Sequence, residues 1–400
     1  MDNAQYHPHP PHSNTYANTT PPAEPTNNNL LIYQPLHPTM RTLLDPEYIA
    51  FHDSCIQYLV PDEHLHSWNS PSRSSPLSTL SEGGGGGNGN GNGPCRVGLV
   101  RDVQLERCRV RIFVPAGSNC SSTGGGGGGG EQGVVVPGKY PVLYWLHGGG
   151  WVTGGLDSEN DFLMYLCQTS QCIVVTIDYR LAPEFPYPNA AEDAVEALVW
   201  LLKEAPKYYA MDLERVAIGG TCAGGNLAAV LVLEAACLFP SFKPVLMLLI
   251  VPVIDNTALP GEGWYNLHSP WLTPARMLWY RRMYLPHGNG RDERYPEREN
   301  WQTSPNLAPS KILSRCPPTW LAVAEYDLLA TEALAFSSQL RASGVQTTVK
   351  VYPGSTHAIL ALSGVLSKGR ELMLDAAQAL NSAFWPIRMD PLLGWTLCSS

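Results

Sequence analysis

No two of the ten cysteines in this chain are spaced C-x-x-C, and none stands at zinc-ligand spacing from a histidine. That spacing argues against a structural metal site or a thioredoxin-type pair. It reads as a set of free thiols in a reducing compartment, so a cytoplasmic location is expected and a bound metal is not. A basic flank followed by an apolar run is also missing. The first thirty residues carry Pro, His, Asn and Thr, and no secretory signal is expected. Long hydrophobic runs are absent. The longest, Val245 to Ile254, is broken by Pro252 and falls well short of the ~20 residues that span a bilayer. Positive charge is scarce: 26 Lys and Arg against 35 Asp and Glu leave a net −9. That balance argues against nucleic acid or an anionic membrane as the main partner.

The 400 residues, 44% of them hydrophobic, are enough for one large α/β domain. Residues 1–28 are polar and Pro-rich and are expected to be disordered. Residues 29–68 form a separate segment in which Asp45 stands as helix N-cap and Pro46 at the first helical position. This segment is expected to cap the active site. Residues 69–95, rich in Ser, Gly, Asn and Pro, read as a linker. Residues 96–400 read as the main domain. Val97 to Leu105 and Cys108 to Val114 alternate as two antiparallel strands. The glycine run Gly124 to Gly130 reads as a solvent loop, and residues 118–133 are expected to be mobile. From Tyr140 buried strands alternate with helices. The strands are Pro141–Leu146, Ile173–Ile177, Val216–Gly219, Val245–Val253, Trp320–Ala324 and Thr347–Tyr352; the clearest helices are Ala190–Lys203 and Thr331–Ala342. Such alternation implies a mostly parallel, eight-stranded sheet covered on both faces. The aromatic stretch Trp264 to Pro286 interrupts it, and a second cap element is expected at about 260–300.

One turn organises the chemistry. Gly219-Gly220-Thr221-Cys222-Ala223-Gly224-Gly225-Asn226 lies between an expected strand and an expected helix. Strand, glycine turn and helix are the setting of a nucleophile elbow, with Cys222 at the tip where serine is usual. A phosphate cradle is the rival reading, but no Lys-Ser or Lys-Thr follows as a Walker loop requires. His147-Gly148-Gly149-Gly150-Trp151 follows the Pro141–Leu146 strand. Its glycines can turn backbone N–H groups toward one point, as a developing oxyanion needs. Gly148, Gly149 and Ala223 are the expected donors, with His147 as an anchor of the loop. His357, after the last strand, is the candidate base, and Asp327, after Trp320–Ala324, its orienting carboxylate. Glu325 competes for that role and ranks behind. The order Cys222, Asp327, His357 is the triad order of serine hydrolases with this topology. All three fall at carboxyl ends of strands, where open α/β sheets place their sites.

On these stretches, with Asp178-Tyr179-Arg180-Leu181-Ala182-Pro183-Glu184 and Ser304-Pro305-Asn306-Leu307-Ala308-Pro309, the chain resembles the hormone-sensitive-lipase-like family of α/β hydrolases. The likeness runs from about 140 to 385 and, more weakly, over the cap from about 40. It implies an α/β-hydrolase fold with a helical cap. It also implies hydrolysis of small carboxylic esters or lactones without metal or organic cofactor. The family's elbow usually reads Asp-Ser-Ala; here it reads Thr221-Cys222-Ala223.

A thiol beside an imidazole ionises more readily than a hydroxyl. Acylation of Cys222 would give a thioester, suited to activated esters, lactones or thioesters and able to pass its acyl group to water or another acceptor. Secondary metabolism is one expected setting. Trp151, Tyr179, Trp264 and Tyr265 are expected to contact the acyl substrate. Two alternatives stand: a non-hydrolytic cyclase or isomerase, and a ligand-binding pseudoenzyme. Plant gibberellin receptors, which this family resembles, lack the triad histidine, whereas His357 is retained here. Substrate identity and oligomeric state stay open at this level.

Overall fold

The structure, a computed structural model, describes residues 31–64, 95–117, 138–285 and 296–386. The polar tail at 1–28, nearly all of the 69–95 linker, the loop at 118–133 and part of the 260–300 insertion lie outside the described residues.

Eight strands form one sheet: β1 (Leu99–Gln104), β2 (Arg109–Val114), β3 (Tyr140–Leu146), β4 (Ile173–Asp178), β5 (Met211–Thr221), β6 (Leu246–Ile250), β7 (Thr319–Ala324) and β8 (Thr347–Tyr352). Their spatial order is β1-β2-β4-β3-β5-β6-β7-β8. The β1–β2 and β2–β4 pairs are antiparallel, and every later pair is parallel. The run of apolar residues in β3 is buried on both faces, as a central parallel strand must be. Its side chains alternate. Val142, Tyr144 and Leu146 enter one core, and Leu143 and Trp145 the other. β1, at an edge, is mostly exposed.

The helices follow from the same patterning. α2 (Asn160–Ser170) and α7 (Ser367–Phe384) cover the Trp145 face. α3 (Asn189–Lys203) turns Ala190, Ala194, Ala197, Leu198 and Leu201 inward at helical spacing on the other face. α4 (Ala223–Leu238) is apolar nearly all round and lies buried, directly after β5. It begins one residue after Cys222, so the elbow is the junction of the central strand and the central helix. α6 (Ala330–Ala342) precedes β8. A two-residue ribbon joins Leu259–Pro260 to Gly263–Trp264.

Two segments pack together above the carboxyl ends of the strands. One holds a short turn at Pro38–Thr42 and α1 (Pro46–Ser54); the other is α5 (Pro274–Tyr284). Asp45 caps α1 by accepting the Glu47 N–H at 2.8 Å, with Pro46 at its start. Leu36, Met40, Leu44, Tyr48 and Ile56 bury against Ala358, Leu362 and Leu366, which follow His357. Each such apolar burial contributes roughly 1.5–3 kcal/mol. The N-terminal segment is thereby fixed to the histidine loop, and the Asp45 N–H donates to the Gly354 carbonyl at 3.0 Å. Arg276 of α5 ties the two segments together. It pairs with Glu63 at 2.7 Å, donates to the Trp271 carbonyl at 2.7 Å and lies over the Trp271 ring.

Candidate active site

Cys222 has φ 53° and ψ −118°, a backbone conformation that L side chains avoid. Such strain costs about 1–3 kcal/mol and persists only where the surroundings enforce it. Here they do. The Cys222 N–H donates to the Ile250 carbonyl at 2.9 Å, and its own carbonyl accepts from Asn226 and Val253, each at 3.1 Å. Glycine at 224 is required by close approach, because a methyl there would collide with the Leu146 and His147 carbonyls. The helix start is thus pressed against the glycine loop, and Cys222 is only 7% exposed.

The glycine loop follows β3. Gly150 has φ +61° and lies under the ring of Tyr280, leaving no room for a Cβ. His147 is buried, stacks on Tyr179 and donates from Nδ1 to the Gly148 carbonyl at 2.7 Å. Burial lowers its proton affinity, so it is a neutral anchor rather than a base. The Gly148 N–H does not face an incoming carbonyl: it donates to Glu159 at 3.1 Å. This corrects the expected donor set. Among the described residues, the N–H groups of Gly149, Gly150 and Ala223 have no acceptor.

His357 stands just after β8, and its Nδ1 donates to Asp327 Oδ2 at 2.8 Å. Burial opposes the imidazolium, but the charges of Asp327 and Cys222 and the bonds to both outweigh it and hold His357 well above the usual histidine range. Asp327 is buried. Its Oδ1 accepts the Leu329 N–H at 3.1 Å, and its carbonyl accepts from Asn266 at 2.8 Å. Glu325 points elsewhere, accepting the Gly354 N–H at 2.9 Å, and so steadies the histidine loop without touching the ring. The structure therefore brings Cys222, His357 and Asp327 together from three strand ends.

The aromatic residues expected to meet substrate are placed differently. Trp151 is fully buried and stacks on Tyr284 at 4.4 Å. The Tyr179 hydroxyl is spent on the His147 carbonyl at 2.8 Å. Trp264 is fully buried, donates to Glu332 at 3.0 Å and carries Arg281 over its ring. These three brace the framework: the Trp151 ring is covered by Tyr284, and the polar atoms of Tyr179 and Trp264 are already bonded. Tyr265 is 64% exposed, next to Asn266. Two residues that sequence reasoning did not single out stand closer to the chemistry: Tyr280, against Gly150, and Glu159, against Gly148. An interrupted β-α alternation did mark the stretch holding Tyr280. Glu159 carried no motif signal.

Among the described residues no group of three or more His, Cys, Asp or Glu could hold a metal ion. No described helix is long and apolar enough to cross a membrane. The eight described cysteines are all free.

A family profile described as alpha/beta hydrolase fold matches residues 143–361. An AB hydrolase superfamily protein of Schizosaccharomyces pombe is 35% identical over 354 residues, covering 88% of this chain and 97% of that protein. An ethyl acetate hydrolase of Pseudomonas putida is 31% identical, covering 60% of this chain and 72% of that enzyme. Among solved structures, an α/β hydrolase from the metagenome of Lake Arreo superposes with a TM-score of 0.70 at 27% identity, over 86% of this chain and 99% of its own. With the sheet order, the elbow and these matches in agreement, the chain belongs to the alpha/beta hydrolase fold family.

Proposed function

We propose that the chain is a carboxylic-ester hydrolase with Cys222 as nucleophile, taking esters, lactones or thioesters with an activated leaving group. The observation that carries this reading is the strained elbow. It holds Cys222 against the glycine loop, where the Gly149, Gly150 and Ala223 N–H groups have no acceptor among the described residues, and near a His357 already paired to Asp327. The similarity to an ethyl acetate hydrolase supports the reaction class.

The residues divide the work as follows. The Cys222 sulfur, its proton held by His357, attacks the acyl carbonyl. The carbonyl oxygen gains the charge and meets Gly149, Gly150 and Ala223. The tetrahedral centre collapses, and His357 passes its proton to the leaving alkoxide or thiolate. The acyl group is now a thioester on Cys222. A water then gives a proton to His357 and attacks the thioester, and the sulfur leaves as the carboxylic acid departs. Asp327 fixes the imidazole and stabilises its charged form throughout.

The test is turnover of p-nitrophenyl butyrate by the Cys222→Ala variant. Loss of turnover with binding of a non-reactive ester analogue intact is expected. Full turnover by that variant would overturn the covalent reading and favour a cyclase-type use of the same pocket.

A further inference from the structure

The carboxyl group of Glu159 has no task in the reaction above, yet it sits where three parts of the site meet. Glu159 precedes α2 but makes no capping bond to it. One oxygen accepts the Gly148 N–H at 3.1 Å, and the other accepts the indole N–H of Trp145. The Thr221 hydroxyl lies beside the same group. It is outside strict hydrogen-bond geometry but near enough to favour the carboxylate. Those neighbours come from β3, the glycine loop and the elbow. A Cβ placed on Gly148 would stand 3.5 Å from Glu159 Oε1, 3.5 Å from the Cys222 Cβ and 3.2 Å from the Thr221 carbonyl, which measures how tightly the three meet.

We infer that Glu159 is a positioning residue for this site: its carboxylate ties the Gly148 N–H to the Trp145 indole of β3, and so fixes the glycine loop beside the elbow and keeps Gly149, Gly150 and Ala223 in place. The inference rests on the ester-hydrolase reading. Glu159 as a residue is half-buried, and both of its carboxyl oxygens are bonded. Burial pushes it up to about 7, and its three donors pull the other way. The titratable groups nearest it are Tyr179, whose charge couples to it, and Cys222, across Gly148. The carboxylate accepts from both the Gly148 N–H and the Trp145 indole, whereas the acid keeps a proton that must itself find an acceptor. The clamp therefore loosens as pH falls through about 7, and kcat falls with it.

The experiment measures kcat and KM against pH for p-nitrophenyl butyrate. The set is the wild type, Glu159→Gln, Thr221→Val and a Cys222→Ala control, with thermal melts to show that each is folded. Glu159→Gln is expected to lower kcat roughly tenfold or more, since misaimed oxyanion donors lose much of their effect, with KM little changed and the limb near neutrality gone. Thr221→Val removes a donor to the carboxylate, so the limb should move to higher pH while the plateau stays. A Glu159→Gln enzyme with wild-type kcat and an unchanged limb would overturn the inference. If that variant does not fold, an unmoved limb in Thr221→Val overturns it. Loss of turnover in the control separates the outcomes: with it, only the Glu159 assignment fails; without it, the covalent reading fails as well.

Discussion

At the scale of single residues, the site depends on Cys222 being held in a conformation that it would not choose. Cys222→Ser keeps the backbone and restores the family's usual side chain, but the hydroxyl needs a base at each step. It should keep weak activity on p-nitrophenyl esters, well below that of the thiol enzyme; activity equal to wild type would show that the thiol has no special part. Asp327→Asn removes the carboxylate that raises the His357 proton affinity. A fall in kcat on the order of 10³–10⁴ is expected, and the His357 titration followed by NMR should move to lower pH. An unmoved titration would remove Asp327 from its orienting role. The placement of Cys222, Asp327 and His357 at strand ends was legible because each follows a strand in a fixed order around a glycine signature. Trp151, Tyr179 and Trp264 were misread for a physical reason. An aromatic residue near a motif suits a pocket or a core equally well, and only its neighbours decide. Here Tyr284, the His147 carbonyl and Glu332 had already claimed them.

Between elements, the decisive contact joins residues 213 apart, Glu63 and Arg276. Both side chains are nearly inaccessible. Removing one partner of a buried pair leaves the other charge uncompensated, at a cost of about 3–5 kcal/mol. Arg276→Ala should therefore free the segment around Pro38–His64 from α5. Faster hydrogen exchange in that segment, with KM rising more than kcat falls, is the expected result; unchanged exchange would deny the pair its clamping role. The local part of this arrangement was readable, since Asp45 and Pro46 announce the start of α1. The clamp was not, because nothing local in either segment records a partner so distant along the chain. The sheet was legible from its buried runs, and β5 proved longer than its apolar centre, reaching back to Met211. Beyond a buried Met211, residues Asp212 to Arg215 are partly or fully exposed and mostly polar, so burial patterning marks only the inner half.

Across the whole molecule, buried ionisable groups hold the sheet to the insertion that bears α5. Glu332 accepts the Ile254 and Asp255 N–H groups at 2.7 and 3.2 Å and the Trp264 indole at 3.0 Å. Arg281 nearby donates to the Asp255 and Ala258 carbonyls, and burial lowers it to about 10. Burial also pushes Glu332 up to about 7 from an ordinary 4.5, against the pull of Arg281 and of its backbone donors. A carboxyl group raised in the folded state binds its proton better there than in the unfolded chain. Its contribution is complete below the unfolded value and is lost as pH rises through about 7, on the order of 3 kcal/mol. Glu332→Gln should be less stable than wild type at pH 5, yet lose less stability between pH 5 and pH 8 in urea unfolding. Equal losses in the two proteins would contradict this.

The central claim is that the acyl group passes through the Cys222 sulfur. Intact-mass measurement after rapid quenching with p-nitrophenyl butyrate, followed by peptide mapping, tests it directly. The account predicts one butyryl group on the peptide carrying Cys222, labile to hydroxylamine and absent from Cys222→Ala. Steady turnover with no acyl group on Cys222, under quenching that preserves a thioester, would contradict it.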